Sequence, residues 1–368
     1  MRIAILTIPL NANYGGILQA YALQTTLENL GGHDVVVLDN PYLLKMPPKF
    51  LRPLVYAMRL VGRKLGMYHG NIKKEVAKNT YCANTYHFVN TNIHEYYING
   101  LKDIPKDRFD AIVVGSDQIW RSYFFHLYFG EMSNAFLRFT DGWNIKRIAY
   151  APSFGVETWE YSDEETAECK KYIQKMDAVS CREAEGVEMC RKYLDYDKVK
   201  HVLDPTMLLT KADYRKFVKV NYGKTGKMLV YVMDPNDDKQ KLIDSVVSEK
   251  SLIPSSIYQP GAVTPPSVEY WLQQFEDAEL VVTDSFHACV FSIIFGKEFL
   301  VYGNVNRGLS RFTSLLQMFG LEDRMILSLD DYKSVKITSS IAEAQKKLEK
   351  LRGESVEWLR KALETSKD

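Results

Sequence analysis

Residues 280–303 read LVVTDSFHACVFSIIFGKEFLVYG. The apolar run 280–283 predicts a short strand buried on both faces. Asp284 and Ser285 are two helix-capping residue types in a row, the apolar stretch 286–295 predicts a helix, and Gly296 stops it. Residues 299–302 predict the next strand. The whole is a β-α-β unit, whose crossover is right-handed in nearly all known cases. Ligands bind such units at the carboxyl ends of the strands, beside helix N-termini. His287 falls there, in the first turn of the helix. The partial positive charge of the helix N-terminus favours a neutral ring, and an anionic ligand on the same amides favours imidazolium. His287 is therefore a candidate acid–base group tuned by its own substrate, with a core histidine bonded to a carbonyl as the alternative.

Upstream, residues 2–8 predict a buried strand, followed by the loop carrying Asn13, Tyr14, Gly15 and Gly16. Helical spacing over 17–30 ends at Gly31-Gly32, and 35–38 predicts a second strand. This is a Rossmann-like half in which Gly15-Gly16 would let the backbone approach a ligand. The spacing is not G-x-G-x-x-G, so no dinucleotide site is read. A strand at 110–115 leads into Ser116-Asp117-Gln118-Ile119-Trp120. There Asp117 is a candidate base or a turn brace, and Trp120 a sugar-stacking platform or core residue. A strand at 146–150 runs into a small polar loop with Ser153. The strand 178–181 ends at Arg182, whose planar fork suits a carboxylate or phosphate; an ion pair with Glu183 or a neighbour is the alternative. The strand 199–203 runs into Asp204-Pro205-Thr206.

The polar stretch 210–226 reads as a linker. Beyond it come a strand at 227–233, a helix at 238–247, a strand and turn at 251–259 and a helix at 265–275, leading into the central unit. Downstream, NVNRGLSR (304–311) offers Arg307 and Arg311 as a phosphate clamp, unless they pair with Glu322 or Asp323. An amphipathic helix is predicted from 341 to about 365. The expected architecture is α/β with two Rossmann-like domains, 1–210 and 220–335, and a C-terminal helix, 338–366, crossing back to the first.

The totals narrow the function. A chain of 368 residues accommodates two ordinary domains. A net charge of +1 gives no global field for nucleic acid. Five cysteines without a C-x-x-C pair favour reduced thiols in a cytoplasmic protein and no zinc site. No run is long enough for a membrane span. Locally, residues 45–78 hold nine Lys or Arg against the single acid Glu75, with Leu54, Val55, Met58, Val61 and Leu65 among them at helical spacing. This insertion reads either as a solvated helix or as a basic amphipathic one on an anionic membrane surface.

Several of these segments resemble the polysaccharide pyruvyl transferase family. They are NYGGILQAYAL (13–23), GSDQIW (115–120), VSCRE (179–183), VLDPTMLL (202–209), TDSFH (283–287) and RGLSRFTSLL (307–316), in the family's order. The resemblance implies a fold similar to GT-B glycosyltransferases. It also implies transfer of a pyruvyl group from phosphoenolpyruvate (PEP), as co-substrate, to two hydroxyls of a sugar, giving a cyclic ketal in cell-surface polysaccharide synthesis. No other cofactor and no metal is implied. The expected acid is His287 and the expected base Asp117, with Asp284 second. Ser285, Ser116, Arg182, Arg307 and Arg311 are expected on the donor. Asn13, Tyr14, Gly15, Gly16, Gln118, Trp120 and Ser153 are expected on the acceptor, a saccharide that could be lipid-linked, giving peripheral contact with the inner membrane. The chain departs from the family in one place: many members have Arg two residues before the motif histidine, where this chain has Ser285. The rival readings are a GT-B-type glycosyltransferase using a nucleotide sugar and a non-catalytic glycan-binding member.

Overall fold

The structure, a computed structural model, describes residues 1–40, 53–54, 57–58, 61, 81–220, 223, 225–257, 264–303 and 308–364. Most of the basic insertion and Arg307 lie outside the described residues.

Two parallel sheets organise the chain. The first has seven strands in the order β3-β2-β1-β4-β5-β6-β7. They are β1 (Arg2–Leu6), β2 (Asp34–Asp39), β3 (Glu95–Tyr97), β4 (Ala111–Val114), β5 (Lys146–Ala149), β6 (Ala178–Cys181) and β7 (Val199–His201). The second has five in the order β12-β11-β10-β8-β9: β8 (Lys227–Tyr231), β9 (Ile253–Ser256), β10 (Leu280–Thr283), β11 (Glu298–Tyr302) and β12 (Met325–Ile326). Every described strand pair is parallel. The central strands β4 and β10 are buried along their whole length, as their uninterrupted Ala/Ile/Val and Leu/Val runs require.

The first sheet has the Rossmann order with one added strand, and the second the 2-1-3-4-5 order of its own strands. Each order reverses at one point, between β1 and β4 in the first sheet and between β8 and β10 in the second. Loops diverge there and leave a crevice at the carboxyl ends. The Tyr14–Gly31 helix follows β1, and Gly32 ends it in the left-handed conformation with its N–H on Glu28 O. The Phe286–Phe295 helix follows β10 and ends the same way at Gly296.

The two crevices face each other because the halves are packed together. One apolar core runs through both, joining Tyr14, Leu208 and Tyr214 to Trp271, Phe291 and Leu348. The Tyr14 ring stacks on Trp271 at 5.5 Å, and its hydroxyl donates to Pro266 O at 2.8 Å. Asn84 Nδ2 donates to Pro265 O, and Ala184 N to Ser314 Oγ. The stretch 210–226 is not a bare tether. Thr210 caps the short Lys211–Arg215 helix, and Arg215 forks onto Glu276 of the second half. The C-terminal helix, Ile341–Glu364, touches both halves. Gln345 Nε2 reaches Ile294 O, Arg352 Nε reaches Met207 O, Leu203 N donates to Ser355 Oγ, and Trp358 packs near Tyr150.

Candidate functional site

The loop after β1 brings Asn13, Gly15 and Gly16 against the loop after β4, which carries Ser116, Asp117 and Gln118. Asp117 sits at φ 54, the left-handed region that non-glycine residues enter only when their surroundings hold them there. Here Ser153 N donates to Asp117 O at 2.9 Å, and Asn13 Nδ2 donates to Asp117 Oδ2 at 3.2 Å. From the second half, the turn after β10 delivers Ser285, Phe286 and His287.

Two cavities meet at this junction. One, of about 180 Å³, lies between the halves and is lined by Asn13, Gly15, Asp117 and Gln118 on one side and by Tyr231, Trp271, Ser285, His287 and Arg311 on the other. The other, of about 210 Å³, lies within the first half and is lined by Thr7, Asn11, Gly16, Phe124 and Tyr128. Asn13, Asp117 and Gln118 belong to both walls.

His287 rests directly on Gly15: a Cβ there would lie 2.0 Å from Nδ1. Its Nε2 is buried, makes no hydrogen bond, and stands 3.8 Å from Asp204 Oδ2. Burial pushes the imidazole below its ordinary range, and the cations Arg182 and Arg311 add to this, against the pull of Asp204 and Asp117. Asp204 is fully buried. Burial alone would raise its carboxyl, but His287, Arg182 and the Thr206 hydrogen bonds outweigh it and hold it below the usual range.

Arg182 is fully buried at the end of β6. Nε meets Glu183 at 2.9 Å, Nη1 meets Asp204 at 3.0 Å, and the guanidinium lies 4.5 Å from the Phe286 ring centre. Its Nη2 has no hydrogen-bond partner. The ion-pair alternative thus holds, with one donor edge left over. Arg311 lines the central cavity from the start of the Ser310–Phe319 helix. Glu157 reaches across from the first half and accepts from Leu309 N and Ser310 N at the N-terminus of that helix.

Several expected site residues do other work. Trp120 is wholly buried, stacked on Phe136 at 4.7 Å with its indole N–H on Ala135 O, so no sugar can reach it. Ser153 is also fully buried and fastens its own loop by accepting from Gly155 N. Tyr14 joins the halves and lines neither of the two cavities. Asp284 is a brace: its oxygens accept from Met233 N and Asp234 N, and Lys239 Nζ pairs with it at 2.7 Å. With both oxygens engaged and the side chain sealed from solvent, it is not available as a base. Ser116 is buried in the loop after β4. Ser285 is the N-cap of the Phe286–Phe295 helix, but its side chain makes no capping bond, so the first-turn amides are not taken by a cap.

Sequence reading gave no role to Asp204, Gln19, Phe124 or Tyr128. Asp204 had a local sign, a D-P-T turn closing a strand. Gln19 is a polar residue on the buried face of a helix, donating from Nε2 to Asp204 Oδ2 at 2.5 Å. Among the described residues, no group of three or more His, Cys, Asp or Glu could hold a metal ion. No described helix is long and apolar enough to cross a membrane.

The model of the polysaccharide pyruvyl transferase family matches residues 13–306 of the chain. The chain belongs to that family. The match takes in both crevices, with His287, Asp117, Arg182 and Asp204. No curated protein matches the chain. Among solved structures it is similar to the UDP-GlcNAc 2-epimerase of Neisseria meningitidis bound to UDP-GlcNAc, at 9% identity and TM-score 0.42, covering 96% of this chain and 100% of that one. It is similar to the Methanocaldococcus jannaschii UDP-GlcNAc 2-epimerase at 11% identity and TM-score 0.42, covering 96% and 93%. It is also similar to the glycotransferase of kitacinnamycin at 12% identity and TM-score 0.41, covering 98% and 94%.

Proposed function

We propose that this pyruvyl transferase family member moves the pyruvyl group of PEP onto a hydroxyl pair of a saccharide, forming a ketal and releasing inorganic phosphate. The observation that carries this reading is the shared wall. Asp117 stands between two cavities, one reaching His287 and Arg311 and the other floored by Phe124 and Tyr128. A two-substrate transfer needs a donor seat, an acceptor seat and a group that touches both.

In this reading PEP lies in the central cavity. Arg311, which lines that cavity, and the first-turn amides after Ser285 hold its carboxylate and phosphate, with buried Arg182 adding positive charge from behind the wall. These groups make up for the arginine that many members carry at the Ser285 position; Arg307 is a further candidate. The saccharide lies in the first-half cavity against Phe124 and Tyr128, with Asn11, Asn13 and Gln118 as hydrogen-bond partners. Charged His287 gives its proton to the vinyl carbon, which becomes a methyl group, and the adjacent carbon turns oxocarbenium-like. One hydroxyl adds to that carbon. The second displaces phosphate, and Asp117 takes a hydroxyl proton. Of the two hydroxyl protons, one balances the proton now on the methyl group and the other leaves with phosphate. No cofactor or metal enters this scheme.

The protein works in the cytoplasm in this reading. A lipid-linked acceptor at the inner leaflet would suit the basic 45–78 segment, where Leu54, Met58 and Val61 are each more than half exposed. Vesicles with and without anionic lipid test that clause by co-sedimentation. The test of the main proposal is incubation with PEP and a panel of saccharides. It follows phosphate release and, by NMR, a new ketal methyl signal. Phosphate release with no methyl signal for any saccharide would point to hydrolysis and remove the transfer reading.

A further inference from the structure

Asp204 takes no part in the transfer as written above, yet the cleft is built around it. Oδ1 accepts from Thr206 N at 3.0 Å and from Thr206 Oγ1 at 2.6 Å. Oδ2 accepts from Gln19 Nε2 at 2.5 Å and from Arg182 Nη1 at 3.0 Å. Three parts of the first half thus converge on one buried carboxylate: the Tyr14–Gly31 helix, the end of β6 and the turn after β7. The fourth neighbour comes from the other half. His287 Nε2 stands 3.8 Å from that same Oδ2, close enough for charge to act but too far for a hydrogen bond. Nε2 is buried without any partner. A buried donor left without a partner is costly, and a ring shift of about 1 Å would bring it to bonding distance.

The opposite nitrogen has different company. Nδ1 lies over Gly15, and both residues line the central cavity. The ring is thus held between a carboxylate at Nε2 and Gly15 of the cavity wall at Nδ1.

We propose that Asp204 is a positioning residue, which takes the Nε2–H of His287 and so fixes the ring to give and accept its catalytic proton at Nδ1, on the Gly15 side. This rests on the reading of His287 as the acid. After transfer the ring is neutral, and its remaining proton stays on Nε2 facing Asp204. Because the carboxylate belongs to one half and the imidazole to the other, the pair exists only while the halves are docked. The acid is thereby assembled across the packed junction of the halves. Four charged groups face the ring. Asp204 and Asp117 favour imidazolium, and Arg182 and Arg311 oppose it. Arg182 also offsets part of the Asp204 charge. An anionic donor near these arginines adds negative charge and moves the ring towards imidazolium.

The test is histidine titration by NMR on full-length protein carrying ¹⁵N-labelled histidine. Among the seven histidines, the His287 signals are identified by their loss in His287→Gln. The expected result is a neutral ring protonated at Nε2. In Asp204→Asn the His287 pKa should fall by roughly one unit or more, since an opposite charge has been removed from within 4–6 Å. A wild-type ring protonated at Nδ1 overturns the proposal. So does a His287 pKa that is unchanged in a folded Asp204→Asn. Should Asp204→Asn not fold, because buried Arg182 loses a counter-charge, the wild-type tautomer alone decides. No donor is needed. Failure to bind PEP would therefore sink the transfer reading and leave this result standing.

Discussion

Lys239→Met isolates the bracing of the β10 turn. In the wild type, Lys239 Nζ donates to Asp284 Oδ2 at 2.7 Å and to Asp234 O at 2.7 Å, and lies 5.4 Å from the Tyr302 ring centre. Both side chains are almost completely buried. Methionine keeps the stem and removes the charge. Asp284 is then left as a buried anion with only two backbone amides, Met233 N and Asp234 N. Removing one partner of a buried pair costs about 3–5 kcal/mol, because the other charge stays desolvated. Nearly all of that should appear as lost stability of the second half, which contains buried Trp271 as an intrinsic fluorescence reporter. Guanidinium denaturation followed by tryptophan fluorescence measures it. The companion variant is Lys239→Met with Asp284→Asn, which deletes the stranded charge and keeps an oxygen for one amide. It should be more stable than Lys239→Met alone by about 1 kcal/mol or more. A loss below about 1 kcal/mol for Lys239→Met, or a double variant no more stable than the single one, would mean that Lys239 does not neutralise a buried Asp284 charge. It would also reopen Asp284 as a base.

Gly15→Ala puts a methyl group 2.0 Å from His287 Nδ1 and 2.4 Å from Cε1 and Cγ, so the ring must move. Turnover should fall about 10²-fold, as for a misplacement near 1 Å, while stability falls by only about 1–3 kcal/mol; a crystal structure with the ring unmoved would contradict this. His287→Ala should lower turnover by roughly 10²–10⁴-fold with the fold intact, and a loss under tenfold would remove it as the acid. The His287 pKa is lowered by burial, so the unfolded chain binds more protons near this group than the native chain does. The stability it contributes is therefore full at neutral pH. It falls as pH drops through about 6.5, the unfolded value, until the native ring also protonates. His33 and His201 are lowered by burial too, so the diagnostic is a shallower stability slope between pH 7 and 5 in His287→Gln than in wild type. Tyr14→Phe removes the bond to Pro266 O and should cost about 0.5–1.5 kcal/mol in thermal or denaturant unfolding.

The β-α-β unit at 280–302 was legible residue by residue, because apolar runs, capping residues and Gly296 are local signals. The Rossmann-like character of both halves and the C-terminal helix followed from the same logic. Strands β3 and β12, of three and two residues, carry too little pattern to be read and exist by pairing with stronger neighbours. The site was legible by position and less so by role. His287 and Asp117 reach the central cavity because the strand ends at the two switch points converge there, and Arg311 reaches it from the start of the Ser310–Phe319 helix. Trp120 could not be separated from a sugar platform, since its partners Ala135 and Phe136 come from a later segment. Asp284 looked available because Lys239, which occupies it, lies 45 residues earlier. Asp204 was invisible as a site residue for the same reason: its partner Gln19 is 185 residues away and His287 lies in the other half.

In the proposed reaction the cavity between the halves is the seat for PEP. Isothermal titration calorimetry with PEP on wild type and Arg311→Ala tests it most directly. Wild type should bind in roughly the micromolar to millimolar range, weakened at least about tenfold by the loss of one charge-assisted contact in Arg311→Ala. No heat at millimolar PEP, alone or with saccharides present, would contradict it, as would equal affinity in the variant.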